Sequence, residues 1–314
     1  MIAIPNNSLT VRKAFKHYKD AIPNLIEKRI DKAISGAAAG SQVPRFLALI
    51  KYHAHEILFS KPERLITLSK RFNPLLTTLD ADGNRVETEL GKAISYVFNY
   101  LWFIQKTKDR YSAYHLTEDM NINVCVYCNR SYTHTIIKHD GRKVTRPTLD
   151  HYFNKGRHPL LALSFYNLIP SCSVCNSGVK HEAEFELISH HHPYLDDYIE
   201  KYAFTYKPNK DAPSGLKIVV TSADPKAKTT LKELETEELY NTHTAELKEM
   251  LNMRYKFSDN YLKILEKHLL SGTKVSQKEL YRIAFGVEVE IAEFGRRPFS
   301  KFKYDILKEL KIIS

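Results

Sequence analysis

The sequence lacks a long apolar run: its longest, Ala93 to Ile104, is broken by Ser95 and Asn99 and falls well short of the roughly 20 residues that cross a bilayer. No membrane span is expected. No secretory leader is expected either, because Met1–Ser8 carries no basic stretch followed by an apolar one, so the cytoplasm is the expected compartment. No internal repeat or low-complexity tract stands out. Cysteine is scarce, with four residues in 314, and each of the four has a partner in sequence.

What the chain does have is 43% hydrophobic and 26% charged residues, a balance that excludes wholesale disorder. At roughly 100 to 200 residues per domain, its length allows one large domain or two to three small ones. Lys and Arg number 47 against 36 Asp and Glu, a net charge of +11. A polyanionic partner such as nucleic acid fits that surplus, and so does a solvated basic surface with no ligand.

The cysteines form two pairs of identical spacing, Cys125-x-x-Cys128 and Cys172-x-x-Cys175. A two-residue gap lets both thiolates of a pair reach one ion at about 2.3 Å, and two pairs complete the tetrahedral shell that structural Zn2+ prefers. Disulfides would not persist in a reducing cytosol. Taken alone, the pairs would also suit a redox motif or buried thiols. A zinc ion here would be structural, closed to water and needed for local folding.

Between the pairs, Tyr132 to His139 alternates around β-branched residues, Asp140-Gly141 signals a turn and Arg142 to Leu149 continues extended, which predicts a hairpin. It leads into Asp150-His151. A basic loop follows, Asn154 to Pro159, then an apolar stretch through Phe165 to Pro170 that reads as a strand ended by proline. Val174 to Lys180 suits a helix, with Asn176 and Lys180 four apart on one face, although Gly178 weakens it by roughly 1 kcal/mol.

These residues carry a resemblance. Cys-x-Tyr-Cys at 125–128, Leu149-Asp150-His151-Tyr152, and the run Asn167-Leu168-Ile169-Pro170-Ser171-Cys172-x-x-Cys175-Asn176 with a following lysine together resemble the HNH endonuclease family, over Asn121 to about His181. The resemblance implies a ββα-metal fold around one divalent ion, with the zinc knuckles locking hairpin to helix. It implies that His151 is the general base taking a proton from water and that Asp150 is a ligand for Mg2+ or Mn2+. Asn167 would tie down the loop that carries His151. Asn176 stands where the motif's last histidine would be, leaving a neutral amide oxygen as ligand, and Lys180, Lys155, Arg157 and Arg146 would face phosphate. The implied product is a nick with 5′-phosphate and 3′-hydroxyl ends.

The flanks read as mostly helical. Val11, Phe15, Tyr18 and Ile22 mark one apolar face and Phe46, Leu49, Ile50 and Ile57 another, separated by breakers at Gly36–Gly40, Pro62, Asn73-Pro74 and Asp82-Gly83. One long helix is predicted from about Glu87 to Lys106, burying Leu90, Ile94, Val97, Leu101 and Ile104. After the core, Tyr202–Lys207 and Leu216–Thr221 suggest paired strands, a long helical region begins near Thr230, and Tyr261–Leu270 is amphipathic. His190-His191-His192 before Pro193 reads as a polar linker, and His134, His139 and His158 as surface histidines. The segment Gly295–Lys303 is densely basic and suits a nucleic-acid backbone or a plain solvated surface, with the backbone favoured slightly.

The expected architecture is therefore α+β: a ββα-metal core with a four-cysteine zinc site at 119–192, between a helical region at 1–118 and a mostly helical region at 193–314 with a short strand pair. His192-Pro193-Tyr194-Leu195 and Arg297–Lys301 also resemble HNH proteins encoded beside ATPases in bacterial anti-phage defence systems such as Septu, which implies a partner ATPase. The expected activity is metal-dependent endonuclease cleavage, in DNA before RNA. Cleavage of RNA, including transfer RNA, stays open, as does a zinc-stabilised binding module without catalysis.

Overall fold

Ser8 starts the first helix, its Oγ accepting from the Val11 amide at 3.2 Å and satisfying one of the donors a helix start leaves open. Val11, Ala14, Tyr18, Ile22, Ile26 and Ile30 then recur every three or four residues and are all buried, so α1 (Leu9–Ser35) turns one apolar face inward. Prolines open α2 (Val43–Phe59) and α3 (Pro62–Leu76), where the missing amide is no loss. The computed structural model describes residues 1–107, 110–181, 183–195, 198–256, 264, 279, 281–282 and 285–313.

Strands β1 (Thr77–Leu79) and β2 (Arg85–Glu87) pair as a largely exposed hairpin. Next comes α4 (Glu89–Val97), where a Cβ on Gly91 would lie 2.0 Å from the Leu76 carbonyl oxygen, so glycine is required for the close approach to α3. The single helix predicted from Glu87 to Lys106 is divided. Phe98 leaves helical geometry, and the Asn99 side chain accepts from the Trp102 amide at 2.7 Å to start α5 (Tyr100–Phe103). The break turns Leu101, expected inside, out to 67% exposure. Helix α6 (Ala113–Met120) packs against α1.

The predicted hairpin is present but short, as β3 (Ile136–Ile137) and β4 (Lys143–Thr145) with Gly141 at φ +79 in its turn. A second antiparallel pair places β5 (Thr148–His151) beside β6 (Leu168–Ser171), with Asp150 opposite Ile169 and His151 opposite Leu168. The expected helix at Val174–Lys180 follows, wound wider than an α-helix, with the His181 amide reaching five residues back to the Asn176 carbonyl at 3.1 Å.

Beyond the core, β7 (Tyr202–Pro208) and β8 (Leu216–Ser222) pair as the sequence suggested. The long helix expected from Thr230 is instead α7 (Pro225–Glu233), α8 (Thr236–Asn241) and α9 (Thr244–Lys256), parted at Glu235, whose φ is +44. The amphipathic stretch Tyr261–Leu270 lies outside the described residues, apart from Ile264. Helix α10 (Ser300–Glu309) docks on β7, where Asp305 Oδ2 accepts from the Phe204 amide at 2.9 Å. The fold is thus mixed α and β, and the strand pairs among the described residues are small and antiparallel. A single buried cluster runs from Met1 to Ile313 through all three expected regions. No described helix is long and apolar enough to cross a membrane.

Candidate metal centre and active site

The four cysteine sulfurs lie within 4.8 Å of one another, with Cys125, Cys128 and Cys175 buried and Cys172 half-buried. A tetrahedral zinc–thiolate shell needs sulfurs about 3.8 Å apart, given Zn–S bonds near 2.3 Å, and Cys128 and Cys172 stand at 4.0 Å. Backbone amides already point at the sulfurs: Arg130 N lies 3.4 Å from Cys128 Sγ and Cys175 N lies 3.5 Å from Cys172 Sγ. Burial, ahead of the neighbouring thiols, pushes the Cys125 thiol well above its ordinary value, whereas hydrogen bonds with the other three hold Cys128 down. Thiols this close cannot all ionise without a shared cation. The cluster fits a metal ion such as zinc.

His151 sits on the last position of β5, only 7% exposed. Its Nε2 lies 2.9 Å from the Ala162 carbonyl oxygen. A carbonyl can only accept, so Nε2 carries the proton and Nδ1 keeps a lone pair. Tyr100 braces the ring edge-on at 4.5 Å between centroids while its hydroxyl donates to the Leu149 carbonyl at 2.9 Å. Burial drives the imidazole pKa down to about 4, overcoming the opposing pull of the Ala162 carbonyl and Asp150.

Asn167 is fully buried and sews the loop between β5 and β6 together. Its Oδ1 accepts from the Phe153 amide at 2.7 Å, and its Nδ2 donates to the Phe153 and Leu161 carbonyls at 3.2 and 3.0 Å. Leu161 directly precedes Ala162, the partner of His151, so the asparagine fixes the segment that orients the imidazole. Helices of the amino-terminal region hold the same loop from outside: Tyr18 Oη donates to the Leu163 carbonyl at 2.6 Å, and Ser164 Oγ donates to the Ile57 carbonyl at 2.5 Å.

Asp150 leaves β5 on the opposite face from His151, as neighbouring strand residues do. Its carboxylate is 4% exposed and already engaged: Tyr127 Oη donates to Oδ2 at 2.5 Å, and Lys180 Nζ stands 3.1 Å from Oδ2 and 3.5 Å from Oδ1. Lys180, expected on a phosphate, is instead 2% exposed, with its ammonium also on the His151 carbonyl at 2.9 Å. Asn176 is half-buried on the wide helical turn, and its side chain makes no hydrogen bond among the described residues. In this arrangement Asp150 and Asn176 do not fit a divalent ion, because the ammonium occupies the carboxylate a metal would need.

Of the other basic residues, Lys155 is exposed on the loop, whereas the Arg157 guanidinium pairs with Glu184 at 2.6 Å and Arg146 Nη1 donates to the Pro147 carbonyl at 2.6 Å. The basic segment near the carboxy terminus is engaged within the protein: Arg296 with Glu293, Arg297 with Glu288, buried Lys301 with Asp305, and Lys303 with the Phe285 carbonyl. It presents no free row of cations to a backbone. His190, His191 and His192 are not a linker but are all buried, at 6%, 1% and 0% exposure. His191 pairs with Asp224 at 3.0 Å and His190 stacks on Phe185 at 4.4 Å. His158 is also drawn inward, with its Nδ1 2.8 Å from Ser69 Oγ.

Sequence reasoning missed Tyr127 and Ala162. The tyrosine was visible inside the first cysteine pair, but nothing in the sequence showed that its hydroxyl meets Asp150; the alanine acts through its backbone and leaves no side-chain signal. No family model matches the chain, and neither the curated proteins nor the solved structures searched contain a match.

Proposed function

We propose that the protein is an HNH-type endonuclease hydrolysing phosphodiester bonds, with DNA as the first substrate and anti-phage defence as its setting. The observation that carries this reading is the His151 imidazole, whose Nε2 proton is committed to the Ala162 carbonyl at 2.9 Å, leaving Nδ1 as the only basic nitrogen. Water attacking phosphorus must lose a proton as the bond forms, and a neutral, oriented imidazole accepts it. Asn167 holds the segment that sets the ring's direction. Lys155 on the loop supplies positive charge for the phosphate. Mg2+ or Mn2+ belongs to this reading as a requirement, but Asp150 as placed offers it no open carboxylate, so no step is drawn through an ion.

The test is incubation of the purified protein with supercoiled plasmid and with total RNA, each with Mg2+, Mn2+ or a chelator, beside His151→Ala. Plasmid nicking that needs divalent ion and drops at least about a hundredfold in the variant supports the reading. Cleavage of RNA alone would move the substrate to RNA. Full turnover by a folded His151→Ala protein would overturn the mechanism. Co-purification of an ATPase tests the implied partner.

One observation favours a second reading, a zinc-stabilised binding module without catalysis. The buried Asp150–Lys180 pair with Tyr127 is complete by itself and works as a structural clamp between β5 and the wide turn. Titration of Mn2+ into zinc-loaded protein separates the two: no binding beyond zinc, or binding indifferent to Asp150→Ala, favours the module.

A further inference from the structure

We propose that a cavity on the loop after His151 takes one unstacked nucleobase of the substrate strand, and that its polar groups select guanine. This inference rests on the proposed nucleic-acid substrate and names the base of it that the protein reads. The cavity holds about 320 Å3 between α3, the loop and the 184–188 segment. Small-ligand pockets run from roughly 300 to 1,000 Å3, so this one has room for a single base with its sugar and not for a stretch of strand. Ile66, Phe153, Leu187 and Ile188 give it apolar walls, the surface against which a flat base packs. Ile188 stands 82% exposed there, an apolar side chain that a bound base would cover. Phe153 lies two residues beyond His151, within about 7 Å along the chain, and Asn167 fixes its amide and its carbonyl. A base held there belongs to a nucleotide close to the phosphate under attack.

The polar groups of the cavity are held in place yet left open. Asn73 Nδ2 donates to the Arg157 carbonyl at 2.7 Å and to His158 Nδ1 at 3.2 Å, and Ser69 Oγ stands 2.8 Å from the same nitrogen. Burial keeps the His158 ring neutral, with a pKa near 4. Because Nδ1 accepts, the ring proton sits on Nε2, which has no partner among the described residues. Glu186 is anchored by its backbone: its amide donates to His190 Nδ1 at 3.3 Å and its carbonyl accepts from the His190 amide at 2.8 Å. Its carboxylate and the Lys70 ammonium form no ion pair among the described residues, whereas Glu184 is engaged with Arg157 at 2.6 Å. The cavity thus offers one open carboxylate together with a ring N–H and an ammonium. Guanine alone among the common bases gives a carboxylate two adjacent N–H donors, on N1 and N2, while its O6 and N7 accept on the other edge. Adenine and cytosine offer Glu186 a single amino group, and thymine or uracil a single ring N–H.

Two measurements on the full-length protein, without added divalent ion, test the pocket. Calorimetric titration of 5′-GMP, beside AMP, CMP and UMP, should show GMP bound at least about tenfold tighter, the discrimination that one bidentate contact gives. Glu186→Ala removes an exposed carboxylate, so it should erase that preference and leave the thermal melt unchanged. Fluorescence anisotropy of labelled single strands, a run of thymines with and without one central guanine, then tests the source of the base. The guanine strand should bind about tenfold tighter to the wild type and no tighter to Glu186→Ala. Equal binding of the four nucleotides, binding of none, or a GMP preference that survives Glu186→Ala overturns the pocket. A preference for GMP with none for the guanine strand overturns the strand assignment and gives the cavity to a free nucleotide. Neither readout depends on cleavage: a protein that selects guanine and leaves plasmid uncut fails the nuclease reading alone, and one that nicks plasmid and binds no nucleotide fails this inference alone.

Discussion

His151 is held neutral by its surroundings, with a pKa near 4 caused first by burial. Cleavage should persist at pH 5.5, where an exposed histidine would already be mostly protonated, and should fall only as the pH passes about 4; a plasmid-nicking profile reads this directly, and a midpoint near 6.5 would contradict it. The same burial has a stability cost in acid. His158 is pushed to about 4 and His192 to about 3, both first by burial. Below pH 6.5 the unfolded chain takes up protons on these rings and the folded protein does not, so stability declines from about pH 6.5 down to about 4, and to about 3 for His192. Urea midpoints measured at pH 7, 5.5 and 4.5 should fall in that order, and His158→Gln should make the decline shallower.

The residues that sequence alone picked out here were those with a fixed spacing or neighbour: the four cysteines, Asp150-His151 and Asn167. Lys180 was found but misplaced, because a lysine at helical spacing gives no sign of whether its end meets water or a carboxylate. Asn167→Ala tests the expectation for the loop. It removes three hydrogen bonds from a fully buried site and leaves Phe153 and Leu161 groups unpaired, so it should cost about 2 to 4 kcal/mol in chemical unfolding, with faster amide exchange across the 152–163 loop.

Among the elements, the strand pair β7–β8 was legible because alternation and a Pro, Asn and Gly-containing connection both point to a hairpin. The division between α4 and α5 was hidden, since Leu90, Ile94, Val97, Leu101 and Ile104 keep helical spacing across it while Asn99 caps the second helix locally. Asn99→Ala should lose that cap, lowering stability by about 1 kcal/mol in a urea titration. The cysteine knuckles are a sharper test, because two elements far apart in sequence bring their sulfurs into one cluster. Cys128→Ser or Cys175→Ser should lower bound metal, measured by plasma mass spectrometry, together with the melting temperature; a zinc-free variant with an unchanged melt would show that the cluster is not structural.

For the molecule as a whole, the three regions read from sequence share one buried cluster. Phe165 in the loop packs edge-on against Phe15 of α1 at 5.0 Å, and Asn73 of α3 donates to the Arg157 carbonyl at 2.7 Å. A sequence cannot reveal such docking, because its periodicity shows which face is apolar and not what covers that face. A fragment covering residues 119–192 should therefore stay unfolded even with zinc, as judged by circular dichroism and dispersion of its amide resonances, whereas the full chain should unfold in one transition.

The turn after the first cysteine pair carries a consequence for how the protein is made. Asn129, buried at φ +51, donates to the Phe294 carbonyl at 2.9 Å, accepts from the Lys301 amide at 3.2 Å on its side chain, and takes the Phe299 amide on its carbonyl at 2.6 Å. During translation those partners leave the ribosome well over a hundred residues after the knuckle does. The nascent chain thus passes through a stage in which all four cysteines are synthesised and this cover is not, and in that interval the cluster is open to ion loading. If the cluster holds an ion, docking of the late segment should slow its exchange, and the ion found in the mature protein should then record what the cell supplied while the chain was being built.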